Sequence, residues 1–246
     1  MKKLLSIVLC NSASEDMTVT DDGVELLRLE ENQDGQNPRA LYELIKQTKG
    51  KYVIIIDTDC TVAEEDFAQF LKVAEECTAD ILAFDGGYAL KASTLKGVSA
   101  KLYTDRYGAE IYTAFNSKEV VWVTLKPFLF TTQRARYSTA DEAKLEETLE
   151  EFKKSKAKLN KAVYTFIFDI LCNRLITFYV SAMIAIYRKE TTADGLLEFD
   201  KRLKDNVVLY LALEKRFPVA ELKKLRAKSF KISLIQYNKF KKIIRK

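Results

Sequence analysis

The stretch that most constrains this chain is Lys49 to Cys60, KGKYVIIIDTDC. Five apolar residues in a row, Tyr52 to Ile56, suit a strand covered on both faces, as in a parallel sheet. Gly50 marks the turn before it. Asp57-Thr58-Asp59 follows where such strands deliver functional groups, at the carboxyl edge of the sheet. Alternate residues of a strand share a face, so both carboxylates are able to point the same way. Two such oxygen ligands beside a crevice suit a hard divalent ion that also holds a diphosphate. The same three residues also suit an ordinary acid-bearing turn.

Composition narrows the chemistry. There is no histidine in the 246 residues, which excludes His-based triads, His-ligated zinc and His acid–base catalysis. Acid–base work would fall to Asp or Glu, and any metal would be oxygen-bound. The chain is 48% hydrophobic and 30% charged, as in a soluble protein with a sizeable core. Three prolines and eight glycines argue against long disordered linkers. Cys10, Cys60, Cys77 and Cys172 form no C-x-x-C pair and read as reduced thiols of a cytosolic protein. The opening MKKLLSIVLC imitates a signal peptide, but its apolar run is short and no small-residue cleavage site follows; it reads as a first strand.

Along the chain, 4–10 and 24–29 read as strands, and 39–48 as a helix with Leu41, Leu44 and Ile45 on one face. The organising strand comes next. A helix over 62–76 follows, with Phe67, Phe70, Leu71 and Ala74 at three- and four-residue steps, and then a strand over 79–84. That alternation predicts an α/β sandwich with a largely parallel sheet. From 88 to 140 the pattern loosens, with strand-like stretches at 120–125 and 127–130. Residues 141–162 read as a charged, solvated helix. Residues 163–188 read as a buried helix, interrupted by Asp169, Asn173 and Arg174, that continues into a strand near 184–187. A further amphipathic helix is expected over 196–216, ended by Pro218. The predicted division is 1–190, the α/β domain, and 191–246, a helical basic extension.

The order of signals in the first 90 residues resembles the family 2 glycosyltransferases of the GT-A fold. Those proteins run from a strand ending in D-D-G-S-x-D-x-T, through an N-x-G loop and an A-R-N helix, to a G-x-Y strand ending in D-x-D. Here the segment Asn11 to Thr18 keeps Ser14, Asp16 and Thr18 but carries Asn11 and Ser12 in place of the paired acids. Asn32 and Gly35 fall in the next loop, and Ala40 is followed by Leu41-Tyr42 where Arg-Asn is usual. Gly50, Tyr52, Asp57 and Asp59 match at family spacing, and Ala79-Asp80-Ile81 looks like the strand that follows. Further on, Phe168-Asp169 and Tyr187-Arg188 occupy the order of the family's E-D and Y-R pairs. On this alignment the family's usual first strand, ending in P-x-Y-N, has no counterpart ahead of residue 4.

The resemblance implies a GT-A-like three-layer sandwich with a mostly parallel sheet and a helical C-terminal part. It implies a bacterial, inverting transferase that moves a sugar from a UDP- or GDP-sugar to a saccharide or lipid-linked acceptor in cell-envelope or polysaccharide synthesis. Asp57 and Asp59 would hold Mg²⁺ or Mn²⁺, Asn11, Ser14, Asp16 and Asp57 would contact the donor, and Asp169 would be the general base. The alternative is a GT-A-like domain without catalysis that serves as the partner of another transferase or envelope protein. A generic nucleotide-binding module is a third reading, but no glycine-rich phosphate loop supports it. Residues 221–246 hold ten lysines and arginines and one glutamate, interleaved with Phe230, Tyr237, Phe240 and other apolar residues. That pattern suits either a packed helix with a basic side or a segment lying on anionic lipid. The expected location is the cytoplasm, peripheral at the inner membrane face. No nucleic-acid-binding motif accompanies the tail, so nucleic acid is not an expected partner.

Overall fold

A computed structural model of the chain describes residues 3–10, 17–29, 38–56, 60–99, 106–130 and 139–204. They pack into two compact units. The described residues of Met1–Thr131 with Lys158–Tyr164 form one, and those of Thr132–Ala157 with Thr165–Lys246 form the other.

The first unit is built on a six-stranded sheet. Its strands are β1 (Leu5–Leu9), β2 (Val24–Arg28), β3 (Tyr52–Ile56), β5 (Ile81–Phe84), β6 (Gly87–Lys91) and β7 (Val120–Trp122), in the order β2-β1-β3-β6-β5-β7. A separate two-stranded ribbon pairs β4 (Cys60–Val62) with β8 (Phe128–Phe130). Every residue of β1 and of β3 is buried, as the unbroken apolar run of β3 predicts, with Ser6 the one polar residue of β1. Five strands of the large sheet share a direction, and β6 alone runs against them, paired antiparallel to β3 and β5. The expected α/β, GT-A-like, mostly parallel sheet is therefore the one observed.

The helices of this unit are α1 (Pro38–Gln47), α2 (Glu64–Glu76), α3 (Ala92–Gly97) and α4 (Arg106–Phe115). On α1, Leu41 and Ile45 are fully buried. On α2 the buried residues are Phe67, Phe70, Leu71 and Ala74, the stripe that its spacing predicts. Glu64, Glu65 and Asp66 occupy its first turn, where the helix dipole favours acids. Phe70 packs edge-on against Phe84 at 5.2 Å and Phe67 against Phe128 at 5.5 Å, which binds helix, sheet and ribbon into one core.

Two features of the topology bear on the site. β1 stands between β2 and β3 and is parallel to both, the 2-1-3 order of a doubly wound sheet in which the first strand is the switch strand. The loosened stretch after residue 88 holds β6, α3 and α4, which were not expected. GYALK lacks the β-branched alternation that marks a strand, and α3 is only six residues long. On α4, Ala109, Glu110, Ile111, Thr113 and Ala114 are buried, and Glu110 accepts a hydrogen bond from the Tyr88 hydroxyl of β6.

The second unit contains α5 (Thr139–Ser155), most of α6 (Lys161–Tyr187) and α7 (Ala193–Leu203). α5 buries Leu145, Leu149 and Phe152 and leaves Glu147, Glu150, Lys153 and Lys154 in water. α6 is long and apolar enough to cross a membrane, yet 61% of its most apolar 18-residue stretch is buried inside the protein. The expected strand near 184–187 is helix. It ends in a Schellman motif: Lys189 takes φ 62°, its N–H donates to Ile186 O at 3.0 Å, and Glu190 N–H donates to Ala185 O at 2.9 Å. On α7 the side chain of Asp200, 2% exposed, accepts a hydrogen bond from the Tyr179 hydroxyl at 2.8 Å. Phe178 and Phe199 pack beside that pair with ring centroids 4.6 Å apart. Of the expected helix 196–216, the described part is Ala193–Leu203, and the basic tail 205–246 lies outside the described residues.

Candidate active site

The strand ends define the candidate site. β1, β2 and β3 finish level with one another, with Leu9 opposite Arg28 on one side and Ile56 on the other. The backbone hydrogen bonds continue one residue further, as Cys10 N–H donates to Ile56 O at 2.7 Å and Leu29 N–H to Leu9 O at 3.0 Å. After these ends come residues 11–16, 30–37 and 57–59. Asn11, Ser14, Asp16, Asp57 and Asp59, all singled out in the sequence, lie there, outside the described residues.

The residues that bracket those segments are described, and they meet. Cys10 and Ile56, which enter two of the segments, share the backbone hydrogen bond just given. Met17 and Cys60, which leave them, are both buried, with Sγ of Cys60 4.0 Å from Sδ of Met17. Arg28, at the end of β2, donates from Nη2 to Met17 O at 2.8 Å. The described framework therefore gathers the entrance and exit of 11–16 and 57–59, and the end of β2, at one edge of the sheet, across the switch between β1 and β3. In a doubly wound sheet that is where ligands bind.

The opposite edge keeps β3 in place. The hydroxyl of the buried Ser6 donates to Glu25 Oε1. Gly50 N–H donates to Ser6 Oγ at 2.8 Å and to Glu25 Oε1 at 3.2 Å, and Lys49 N–H reaches the same carboxylate. A Cβ on Gly50 would lie 2.5 Å from Ser6 N and 2.7 Å from the backbone carbon of Leu5, so the two strands reach this spacing only because residue 50 is glycine. The Tyr52 hydroxyl donates to Ala79 O at 2.8 Å and Cys77 O at 3.1 Å. Burial, first, and the hydrogen bond to Cys77 push its ionisation well above the usual tyrosine range. The two sequence matches ahead of the D-x-D segment are thus structural supports of the strand that carries it. Asp80, of the A-D-I match, has a similar role. It accepts from Lys118 N–H at 2.7 Å and the Thr94 hydroxyl at 3.3 Å, at the amino end of β5.

Asp169 lies in the second unit, half-buried on α6, as does Arg174. Among the described residues no group of three or more Cys, Asp or Glu could hold a metal ion. The sequence reading passed over Glu30, Glu31 and Asp34. They form an acid run directly after an alternating strand and lie outside the described residues.

A doubly wound α/β sheet places its ligand-binding edge outside the carboxyl ends of these strands. Residues 7–124 match the model described as Glycosyl transferase family 2. Over those residues the chain is similar to the family 2 glycosyltransferases. No curated protein matches the chain. Among solved structures it is similar to S. aureus TarS 1–349 in complex with UDP (13% identity, 98% of this chain and 88% of that one covered, TM-score 0.49). It is also similar to the complex of the same protein with UDP-GlcNAc (14% identity, 98% and 88% covered, TM-score 0.47).

Proposed function

We propose that this chain is a metal-dependent, inverting glycosyltransferase, and that it moves a sugar from a UDP- or GDP-sugar to a hydroxyl of a saccharide or lipid-linked acceptor. Bacterial cell-envelope or polysaccharide synthesis is the process that such chemistry would serve. What supports the reading is the meeting of Cys10 with Ile56 and of Met17 with Cys60, which brackets the segments holding Asn11, Ser14, Asp16, Asp57 and Asp59 together. Two carboxylates at alternate positions are a donor set that fits a hard cation sharing its shell with phosphate oxygens. Asp57 and Asp59 would hold Mg²⁺ or Mn²⁺, which when bound offsets charge on the departing diphosphate. Asn11, Ser14 and Asp16 would orient the nucleotide, joined by the acids after β2. Asp169 would take the proton of the acceptor hydroxyl as its oxygen attacks the anomeric carbon and the bond to the diphosphate breaks. One base and no enzyme nucleophile suffice for inversion, which agrees with a chain lacking histidine. The basic 221–246 segment would hold the protein at an anionic membrane surface on the cytoplasmic side.

The test is a thermal shift with UDP-glucose, UDP-GlcNAc and GDP-mannose, with and without Mn²⁺. At least one donor is expected to raise the melting temperature in a Mn²⁺-dependent way, and Asp59→Ala is expected to abolish the shift. No shift with any nucleotide sugar refutes the reading.

A further inference from the structure

Three large apolar side chains stand out as exposed among the described residues: Trp122 (54%), Leu129 (52%) and Phe130 (38%). Phe130 differs from the other two in how firmly it is held. Its ring lies 6.1 Å from that of Phe128, which is buried and packs in turn against Phe67 at 5.5 Å and Phe84 at 5.9 Å. It is the outermost ring of a core cluster rather than a loose surface residue. Its strand is pinned on several sides. Cys60 pairs with Phe130 across the ribbon, Ala63 N–H donates to Pro127 O at 3.0 Å, and Lys126 N–H donates to Asp66 Oδ2 at 2.7 Å.

The turn after β5 comes up against this ring. Gly86 has φ 95°, and a Cβ on it would lie 3.5 and 3.6 Å from Cδ2 and Cε2 of Phe130. The residue before it, Asp85, is exposed, and its N–H donates to Leu125 O at 2.9 Å. A rigid, part-exposed aromatic face and a carboxylate therefore stand at the carboxyl edge of β5. β5 shares its direction with β1 and β3, so this is the edge where the candidate site lies. The strand order sets the side. β6 and β5 flank β3 opposite to β1 and β2, so this pair lies across β3 from the segments that would orient the nucleotide.

We infer that Phe130 and Asp85 form a subsite for a pyranose ring of the acceptor. A pyranose offers an apolar C–H face and a rim of hydroxyls. The first stacks on an aromatic ring, and the second donates to a carboxylate. A preformed ring loses little side-chain entropy when it is covered. The inference rests on the glycosyl-transfer reading and adds the chemical class of the acceptor and the residues that select it. A flat lipid surface would make no comparable use of the carboxylate.

The experiment is saturation-transfer NMR on the full chain with methyl β-D-glucopyranoside, methyl N-acetyl-β-D-glucosaminide and methyl α-D-mannopyranoside as probes. Calorimetry of UDP-GlcNAc, UDP-glucose and GDP-mannose with Mn²⁺ runs beside it. At least one glycoside is expected to bind. Phe130→Ala should weaken it about tenfold, the worth of one good aromatic contact. Phe130→Trp should retain binding, exposed Asp85→Asn should weaken it without loss of fold, and nucleotide-sugar affinity should be unchanged in all three. No glycoside binding by the wild type, or equal binding by Phe130→Ala, overturns the subsite. If nucleotide sugars still bind, the subsite alone falls; if they do not, the donor reading falls with it.

Discussion

Gly50→Ala is the sharpest test of how β3 is held. The added methyl would sit 2.5 Å from Ser6 N and Oγ and 2.7 Å from the Leu5 carbonyl carbon. Two of those atoms are backbone of the adjacent strand, so no rotamer change relieves the clash and the strands must part. Overpacking of this kind costs about 3 kcal/mol, at the upper end of its range. The movement also weakens the Gly50 N–H bonds to Ser6 and Glu25, worth about 1 kcal/mol together. Alanine restricts the unfolded chain and returns roughly 0.7 kcal/mol. The net loss is about 3 kcal/mol, or roughly 6–12 °C in melting temperature for a chain of this size. Gly97→Ala supplies the control, because a Cβ there meets nothing within 4 Å. It should be neutral or slightly stabilising. Urea denaturation followed by circular dichroism measures both. If Gly50→Ala shifts the midpoint no further than Gly97→Ala, the close approach of β1 and β3 is not what residue 50 serves.

Tyr52→Phe removes a buried donor to Ala79 O and Cys77 O and should cost about 1–3 kcal/mol at neutral pH by urea titration. Because the folded Tyr52 ionises above its unfolded value of about 10, its contribution is complete below that pH and is lost as pH rises beyond it; the wild type should lose about 1.4 kcal/mol per pH unit there that Tyr52→Phe does not. Lys189→Gly should stabilise the second unit by roughly 1 kcal/mol, since only the side chain is strained at φ 62°, and a rise in the urea midpoint reads it. A double-mutant cycle on Tyr179→Phe and Asp200→Asn should give a coupling energy of about 1–2 kcal/mol, and additivity would show that the buried pair is not coupled. Asp169→Asn should lower kcat by about 10²–10⁴-fold while donor affinity by calorimetry stays unchanged.

The first half of the fold was legible because its signals are local. VIII can only be a covered strand, the Phe67-Phe70-Leu71-Ala74 step can only be one helix face, and Gly50 announces the turn. What was not legible depends on partners distant in sequence. GYALK becomes β6 because β3 and β5 offer it two open edges, not because its residues prefer extended backbone. Apolar Ile184-Ala185-Ile186-Tyr187 has a strand's composition but finishes a helix, because the Schellman bonds from Lys189 and Glu190 close on Ile186 and Ala185. Strand order is a property of pairing, and a run such as LSIVL carries no mark of which neighbours it takes.

The same distinction separates the two ends of the candidate site. Asp57 and Asp59 stood out because a short acidic pair directly after an apolar run is conspicuous, and the acids after β2 did not because Asn32, Gln33 and Gly35 dilute them. The segment after β1 carries Asn11 and Ser12 where the family has paired acids, and the segment after β2 carries Glu30, Glu31 and Asp34. Glu31→Gln and Asp34→Asn should weaken nucleotide-sugar binding in calorimetry more than Asn11→Ala does, and the reverse ranking would assign the nucleoside contacts to the segment after β1.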